Sequence, residues 1–165
     1  MERRSPSAPP GDALPEDPLR LDLQLCFRLY AASRLITRLY QPMLEPHGLT
    51  YPQYIVLMIL WEEAPCSVSR IGARALLNTN TLTPLLKRLE QQGLVQRQRR
   101  QDDERIVEIH LTEAGHALRS HCDCIPAEIA SATHLPLEKA MALATLLDEL
   151  LAGLRDPSLV ALTAE

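Results

Sequence analysis

The sequence predicts a mainly α-helical protein that carries one β-hairpin in its second half. Leu and Ala are the commonest apolar residues of the chain, and both favour helices. The six aromatic residues all lie between Phe27 and Trp61, so bulky packing or a ligand site is expected there. Two extended segments, Leu94–Arg100 and Arg105–Leu111, flank a polar turn at 101–104 and predict the hairpin.

The first helix is predicted from apolar residues that recur every three or four positions between Leu25 and Met43. Asp17-Pro18 or Asp22 is expected to cap it, since Pro is tolerated in an opening turn. Pro42 should kink or loosen the final turn, and Pro46-His47-Gly48 should end the helix.

Capping signals mark the second and third helices. Thr50 and Gln53 have capping-box spacing and open a helix that runs to Trp61 or Glu63. Ser67 caps a short third helix that stops near Leu77-Asn78.

The fourth helix has a leucine face and ends at Gln92-Gly93. Its start is open: Pro84 favours a cap at Thr83, but Thr79 or Thr81 serves if the proline lies slightly further inside. The leucine face consists of Leu82, Leu85, Leu86 and Leu89.

Two further helices follow the hairpin. Thr112 caps a fifth helix that runs towards Cys124, where Pro126 interrupts or kinks it. A last amphipathic helix covers 137–151. The order of four helices, a hairpin and two helices is that of a winged helix-turn-helix with helical arms on both sides.

The arms present more apolar surface than so small a central domain can cover, which predicts a two-fold dimer. We therefore expect a disordered arm at 1–17 and a tail at 154–165. The DNA-binding winged helix-turn-helix covers 48–111, and the dimerisation domain combines the N- and C-terminal helices at 18–47 and 112–153.

Charge and composition narrow the function classes. The net charge is −4, but residues 66–112 hold eight Arg or Lys against five Asp or Glu, as expected where one face touches DNA. No apolar run is long enough for a membrane span, and the N-terminus lacks the apolar core of a signal peptide. A cytoplasmic protein is expected, with its four cysteines as thiols and without a cofactor or metal.

The predicted DNA contacts combine the polar face of the fourth helix with the hairpin. Short polar side chains reach base edges, cations neutralise phosphates, and arginines at a narrow tip suit a minor groove. Asp103 is placed to orient Arg105. The candidates are Thr79, Asn80, Thr81, Thr83, Pro84, Lys87, Arg88, Arg97, Arg99, Arg100, Asp103 and Arg105.

These segments resemble the MarR family of transcriptional regulators, and most closely its organic hydroperoxide resistance regulators. The resemblance covers about residues 20–152 and implies a repressor that binds an inverted-repeat operator. Asn78-Thr79-Asn80 departs from the family's Asp-Ser-Gly, so the base preference at that end is expected to differ. The matching motifs are Leu25–Tyr30, Leu49–Tyr54, Asn80–Glu90, Gly93–Val95, Asp103–Arg105 and Leu111–Gly115.

Cys26 is the candidate redox sensor. If Asp22 is the cap, Cys26 lies in or just after the first helical turn, where the helix dipole favours the reactive thiolate. The resemblance implies that organic hydroperoxides oxidise it and that Tyr40 and Tyr51 hydrogen-bond its sulfur. Tyr40 follows Cys26 by fourteen residues, which is about 21 Å along a helix. Such a contact therefore has to come from the other subunit, with the two first helices antiparallel.

Organic peroxides would be selected by an apolar pocket that includes Phe27 and Tyr30. After oxidation to sulfenic acid, a second thiol is expected to form a disulfide. The resemblance places such a thiol near Ser131, which is no thiol, so Cys122, Cys124 or a low-molecular-weight thiol remains open. Cys66, next to Pro65 in a turn, is interpreted as a bystander.

Three rival interpretations remain. A metal sensor would use His116, His121, Cys122, Cys124 and His134, although Cys-x-Cys is not ordinary zinc-ribbon spacing. A second alternative is a regulator of the same family that responds to a phenolic ligand, with Cys26 playing no part in sensing. A thiol peroxidase would need a histidine that activates Cys26 and a resolving Cys-x-x-Cys, and neither is found in the sequence.

Overall fold

The computed structural model describes Asp17 and residues 19–155. Within them the chain forms seven α-helices and one three-stranded antiparallel sheet, which confirms the mainly helical fold. Contacts divide the chain into two compact units, with the boundary between Arg38 and Leu39. Residues 1–16, Pro18 and 156–165, which include most of the predicted arm and tail, lie outside the described residues.

Helix α1 (Leu25–Leu44) holds the predicted apolar repeat. The prediction that Asp17 or Asp22 caps it is wrong, because the helix begins at Leu25, three residues after Asp22. Asp22 lies instead in a 3-10 turn at Leu21–Leu23, where its carboxylate pairs with Arg20 at 2.6 Å.

The end of α1 follows the prediction. Pro42 lies in its last turn, and a 3-10 turn at Glu45–His47 comes next. Gly48 has a φ of +64°, a conformation that L side chains rarely adopt, and it redirects the chain. The backbone N–H of Leu49 then donates to the Leu44 carbonyl at 3.1 Å, which ties the turn to the helix.

Helix α2 (Tyr51–Glu63) begins at the predicted capping box. The side-chain oxygen of Gln53 accepts hydrogen bonds from the Thr50 backbone N–H at 2.8 Å and from the Thr50 hydroxyl at 3.0 Å. Six side chains of α2 are buried, including Tyr54 and Leu57, so this helix forms the centre of the core.

Helices α3 (Val68–Ala75) and α4 (Thr79–Gln91) form the helix-turn-helix. Ser67 caps α3 as predicted, since its Oγ accepts from the Arg70 N–H at 3.2 Å. The four predicted leucines of α4 are all buried, and they pack into the same core as α2.

The start of α4 differs from the prediction. The cap is Asn78, whose Oδ1 accepts from the Thr81 N–H at 2.9 Å, and not Thr79, Thr81 or Thr83. Pro84 is consequently inside the helix. An interior proline removes one internal hydrogen bond, and the Asn78 cap and the buried leucines hold the helix together on both sides of it.

The sheet has the order β1 (Cys66–Ser67), β3 (Val107–Leu111), β2 (Val95–Arg99). The hairpin strands are shorter than predicted, so the connecting loop covers residues 100–106. The sequence pattern also missed β1, in which Cys66 pairs with Ile109. Cys66 is therefore a buried strand residue, and the interpretation of Cys66 as part of a turn is wrong.

Helices α5 (Glu113–Cys122), α6 (Ile125–Ala132) and α7 (Leu137–Leu154) complete the described chain. Thr112 caps α5 as predicted, accepting from the Gly115 N–H at 3.0 Å. The predicted interruption near Pro126 is confirmed, but it falls earlier. Cys122 ends α5 and Cys124 lies outside it, as the residue that precedes α6.

Helix α7 has no buried residue, although its sequence is strongly apolar. No helix of the described chain is both long and apolar enough to cross a membrane. The exposed apolar side chains of α7 include Leu137, Met141, Leu143, Leu146, Leu151 and Leu154.

Candidate nucleic-acid interface and redox site

The outer face of α4 carries every polar candidate that the sequence assigned to this helix. All of these side chains are exposed, whereas the leucines of the opposite face are buried. Short hydroxyl and amide groups lie in the first half and cations in the second, which allows base contacts and phosphate contacts from one helix. The exposed set is Thr79, Asn80, Thr81, Thr83, Pro84, Lys87 and Arg88.

The hairpin loop carries two arginines, each oriented by an acidic neighbour. Arg100 pairs with Asp102 at 2.6 Å, and this pairing lowers the pKa of Asp102 to about 2. Arg105 pairs with Asp103 at 3.1 Å, as predicted, and its side chain is 92% exposed. Asp103 therefore orients the Arg105 side chain, and the guanidinium remains accessible to a ligand. Arg99, at the end of β2, is also exposed.

Arg97 lies in the first strand of the hairpin, within the extended segment that the sequence predicted. It is the central residue of β2, opposite Ile109, and its side chain bonds to α4. Its Nη2 donates to the Thr83 carbonyl at 3.1 Å, and its Nε lies 3.3 Å from a carboxylate oxygen of Glu90. The Arg97 backbone N–H also donates to Glu90 at 3.3 Å. These contacts attach the hairpin to α4 at two points.

Cys26 is the second residue of α1 and is exposed. It lies in the first turn, as predicted, although Asp22 is not the cap. The Phe27 and Tyr30 rings have centroids 6.5 Å apart and are 36% and 58% exposed. The Arg34 guanidinium lies 5.6 Å from the Tyr30 centroid. The aromatic residues next to the thiol are thus open to solvent and available to a further surface.

Tyr40 and Tyr51, the two predicted hydrogen-bond partners of the sensor, lie side by side in the second unit. Their ring centroids are 4.5 Å apart, and Tyr54 lies 5.9 Å from Tyr40. Burial and the adjacent Tyr51 hydroxyl raise the pKa of Tyr40. Burial, followed by Cys122 and the two other tyrosines, raises the pKa of Tyr54 to about 12. Tyr40 and Tyr54 are thus neutral hydrogen-bond donors at physiological pH.

The other three thiols, those of Cys66, Cys122 and Cys124, all have raised pKa values. Burial raises the pKa of Cys122 and of Cys66. A hydrogen bond to the Glu128 carboxylate is the largest of the causes that raise the pKa of Cys124. A raised thiol pKa leaves less thiolate at neutral pH.

The histidines of the metal-sensor alternative do not come together. In the described part of the chain no three His, Cys, Asp or Glu side chains are placed to hold one metal ion. His121 instead faces the His47 ring, with centroids 5.9 Å apart.

Two residues that join separate elements of the DNA-binding domain were not predicted from the sequence. Glu90 anchors the hairpin, and Trp61 donates from Nε1 to the Gly115 carbonyl at 2.9 Å. Both act on residues of another element, so no local pattern in the sequence marks them.

Comparison with known proteins identifies the family. The family model described as "Transcriptional regulator SarA/Rot" matches residues 38–121. The HTH-type transcriptional regulator TtmR of Methylorubrum extorquens is 49% identical over 141 residues, covering 86% of this chain and 70% of its own length. The organic hydroperoxide resistance transcriptional regulator of Bacillus subtilis is 48% identical over 113 residues, covering 68% of this chain and 77% of its own.

Solved structures agree with this. Reduced AbfR bound to DNA is 41% identical with a TM-score of 0.68, covering 83% of this chain and 96% of AbfR. Overoxidised AbfR bound to DNA is 42% identical with a TM-score of 0.66, and the match covers 81% of this chain and 94% of AbfR. The chain belongs to the MarR family of winged-helix transcriptional regulators, and within it to the type of the organic hydroperoxide resistance regulators.

Proposed function

We propose that this regulator is a dimeric repressor that binds an inverted-repeat operator in its reduced form and is released when organic hydroperoxides oxidise Cys26. The observation that carries the proposal is the pairing of Tyr40 and Tyr51. Two phenols with ring centroids 4.5 Å apart provide two O–H donors for one anionic acceptor. One relative of this chain is named as an organic hydroperoxide resistance transcriptional regulator, which supports the same chemistry.

The thiolate that these phenols would stabilise is Cys26 of a second copy. Cys26 and Tyr40 belong to the same helix α1 and are fourteen residues apart in sequence. In an antiparallel pair of these helices, each Cys26 meets the Tyr40 of the other copy. The exposed apolar residues of α7 supply the surface that such a dimer buries.

The chemical step is a two-electron transfer to the peroxide. The Cys26 sulfur attacks the terminal oxygen of the hydroperoxide, the O–O bond breaks, and the alkoxide leaves and takes up a proton to become an alcohol. The sulfur is oxidised to sulfenic acid. A thiol then condenses with it, giving a disulfide and water. We assign this thiol to a low-molecular-weight thiol, because Cys122 is buried and Cys124 is hydrogen-bonded to the Glu128 carboxylate.

Operator binding tests the proposal directly. Wild type, Cys26→Ser and Cys124→Ser are titrated onto operator DNA with and without cumene hydroperoxide. We expect Cys26→Ser to bind like wild type but to stay bound in peroxide, and Cys124→Ser to be released like wild type. Release of Cys26→Ser would show that another thiol or a ligand pocket senses, and a failure of reduced wild type to bind would overturn the repressor itself.

A further inference from the structure

An aromatic row formed by Tyr40, Tyr54 and Trp61 leads from the tyrosine pair towards the base of the hairpin. The Tyr54 ring centroid lies 5.9 Å from that of Tyr40 and 6.0 Å from that of Trp61. Tyr54 is only 3% exposed, and Trp61 is partly buried against the same core. Tyr54 and Trp61 are seven residues apart in α2, so they lie on one face of this helix, about two turns apart. The whole row belongs to the second unit.

The far end of the aromatic row is bonded to the base of the hairpin. The Trp61 indole N–H donates to the Gly115 carbonyl at 2.9 Å. The Gly115 N–H donates to the Thr112 hydroxyl at 3.0 Å, and this hydroxyl donates to the Gly93 carbonyl at 2.6 Å. The Thr112 N–H donates to the Leu94 carbonyl at 3.1 Å. These bonds lie just before β2 and just after β3, so Trp61 is attached to the place where both strands of the hairpin join the rest of the fold.

We propose that Trp61 is a positioning residue for operator release, whose indole N–H transmits a change at the tyrosine pair to the base of the hairpin. The inference rests on the proposed function, in which oxidation removes the thiolate that Tyr40 and Tyr51 bond. Tyr40 then loses its anionic acceptor and shifts against the buried Tyr54 ring. A close-packed interior transmits such a shift, so α2 moves the Gly115 carbonyl and the hairpin with it.

A second attachment of the hairpin explains why this movement affects DNA binding. Arg97, in the middle of β2, is bonded to the Thr83 carbonyl and paired with Glu90, both on α4. The base of the hairpin is thus attached to α2 and its middle to α4. Because the two attachments belong to different helices, a shift of α2 against α4 changes the tilt of the hairpin. The exposed Arg105 guanidinium in the hairpin loop then changes its position relative to α4.

Trp61→Phe tests the inference, because it keeps a ring beside Tyr54 and removes the hydrogen-bond donor. Operator affinity is measured for the reduced protein and after cumene hydroperoxide, and the ratio of the two affinities measures the coupling. We expect sulfenic acid to form at Cys26 at the wild-type rate and the ratio to fall by about threefold or more, because the oxidised variant stays bound. A purely structural role would lower both affinities alike and leave the ratio unchanged.

Gln92→Met is the matched control, because it removes a bond of the same kind outside the aromatic row. The Gln92 side-chain N–H donates to the Gly48 carbonyl at 2.8 Å and joins the end of α4 to the turn before α2. Its affinity ratio should stay within twofold of wild type. A wild-type ratio for Trp61→Phe, or an equal fall in Gln92→Met, would overturn the role of Trp61. Thermal melting checks that each variant folds.

A label at Trp61 gives a second measurement that needs no substitution in the aromatic row. Trp61 is the only tryptophan of the chain, so 5-fluorotryptophan marks this position alone. Its fluorine resonance should shift when peroxide oxidises the otherwise wild-type protein and should not shift in Cys26→Ser. An unchanged resonance in the oxidised wild type would contradict the inference even if Trp61→Phe fails to fold.

The same series separates the two possible failures. If peroxide releases the wild type but Trp61→Phe has the wild-type ratio, the role of Trp61 is wrong and the proposed function stands. If peroxide does not release the wild type, the proposed function is wrong, and the inference that rests on it is wrong as well.

Discussion

Tyr40 and Tyr51 stand with their ring centroids 4.5 Å apart and their planes tilted by 42°. The two residues come from different helices, α1 and α2, and the Tyr51 hydroxyl contributes to the raised pKa of Tyr40. The pair lies entirely within the second unit, so it exists before any thiol approaches it.

Tyr40→Phe should slow the oxidation of Cys26, because a hydrogen bond to the thiolate is lost while the ring packing is kept. Sulfenic-acid formation with cumene hydroperoxide measures this. Tyr54→Phe is the matched control, since Tyr54 packs beside Tyr40 with ring centroids 5.9 Å apart but is not proposed to bond the thiolate. We expect the control to react at close to the wild-type rate.

Heterodimers test whether the contact crosses the interface. With Cys26→Ser and Tyr40→Phe in one subunit and a wild-type partner, the surviving Cys26 faces phenylalanine and should react slowly. With the two changes in opposite subunits, the surviving Cys26 faces an intact Tyr40 and should react at the wild-type rate. Equal rates, or the reverse order, would contradict the antiparallel arrangement.

Arg105→Ala should weaken operator binding by about 1–3 kcal/mol. Arg105 has its guanidinium exposed and oriented by Asp103, so its removal takes away a positioned cation. Glu104→Ala is the neighbouring control, since it removes a side chain from the same loop without removing a cation. Unchanged binding by Arg105→Ala would remove the hairpin from the interface.

Lys87→Ala should lower the slope of log affinity against log salt by about one unit, because one phosphate contact is lost. The effect should be the same on specific and on random DNA. Lys139→Ala, an exposed lysine of α7, should leave the slope unchanged. A reduced slope for Lys139→Ala alone would place the DNA on a different face.

Arg97→Ala should weaken binding while leaving the salt slope unchanged. Arg97 is paired with Glu90 and bonded to Thr83, so it positions the hairpin and does not neutralise a phosphate. Glu90→Gln should lower the affinity in the same direction, and each change should cost about 1 kcal/mol of binding free energy through the displaced hairpin. A slope that falls by one unit in Arg97→Ala would instead make Arg97 a phosphate ligand.

Gly115→Ala should destabilise the fold by about 1–3 kcal/mol. A Cβ at this position would collide with the carbonyl oxygen of Leu94, where the hairpin begins. Gly153→Ala is the control, because a Cβ there meets nothing within 4 Å and alanine favours the helix. Chemical denaturation measures both free energies of unfolding, and equal effects would mean that the junction tolerates the methyl group.

Local signals account for the elements that the sequence predicted correctly. Ser67, Thr112 and the Thr50–Gln53 pair each cap a helix through a bond to a residue three positions away, so a short window of sequence contains the whole interaction. The Asn78 cap was missed because the candidate caps were chosen to keep Pro84 near the first turn of α4, where proline is commonest.

The interactions that the sequence did not predict join distant segments. Strand β1 has two residues and exists through its pairing with β3, so no run of β-prone residues marks it. Arg97 was predicted as a DNA contact of the hairpin, but its partner Thr83 is fourteen residues away on another element, so the sequence did not show that Arg97 bonds to α4. The candidate redox residues were found through the family resemblance, whereas the contact between the tilted rings of Tyr54 and Tyr40 depends on tertiary packing.

The pKa of about 12 that burial imposes on Tyr54, together with the raised pKa of Tyr40, has a consequence for how the regulator behaves as its surroundings become acidic or alkaline. Tyr40 and Tyr54 stay protonated throughout the range in which cells live, so Tyr40 keeps its O–H as a hydrogen-bond donor. In the proposed mechanism, Tyr40 therefore offers the same O–H to the sulfur in mildly acidic and in mildly alkaline surroundings.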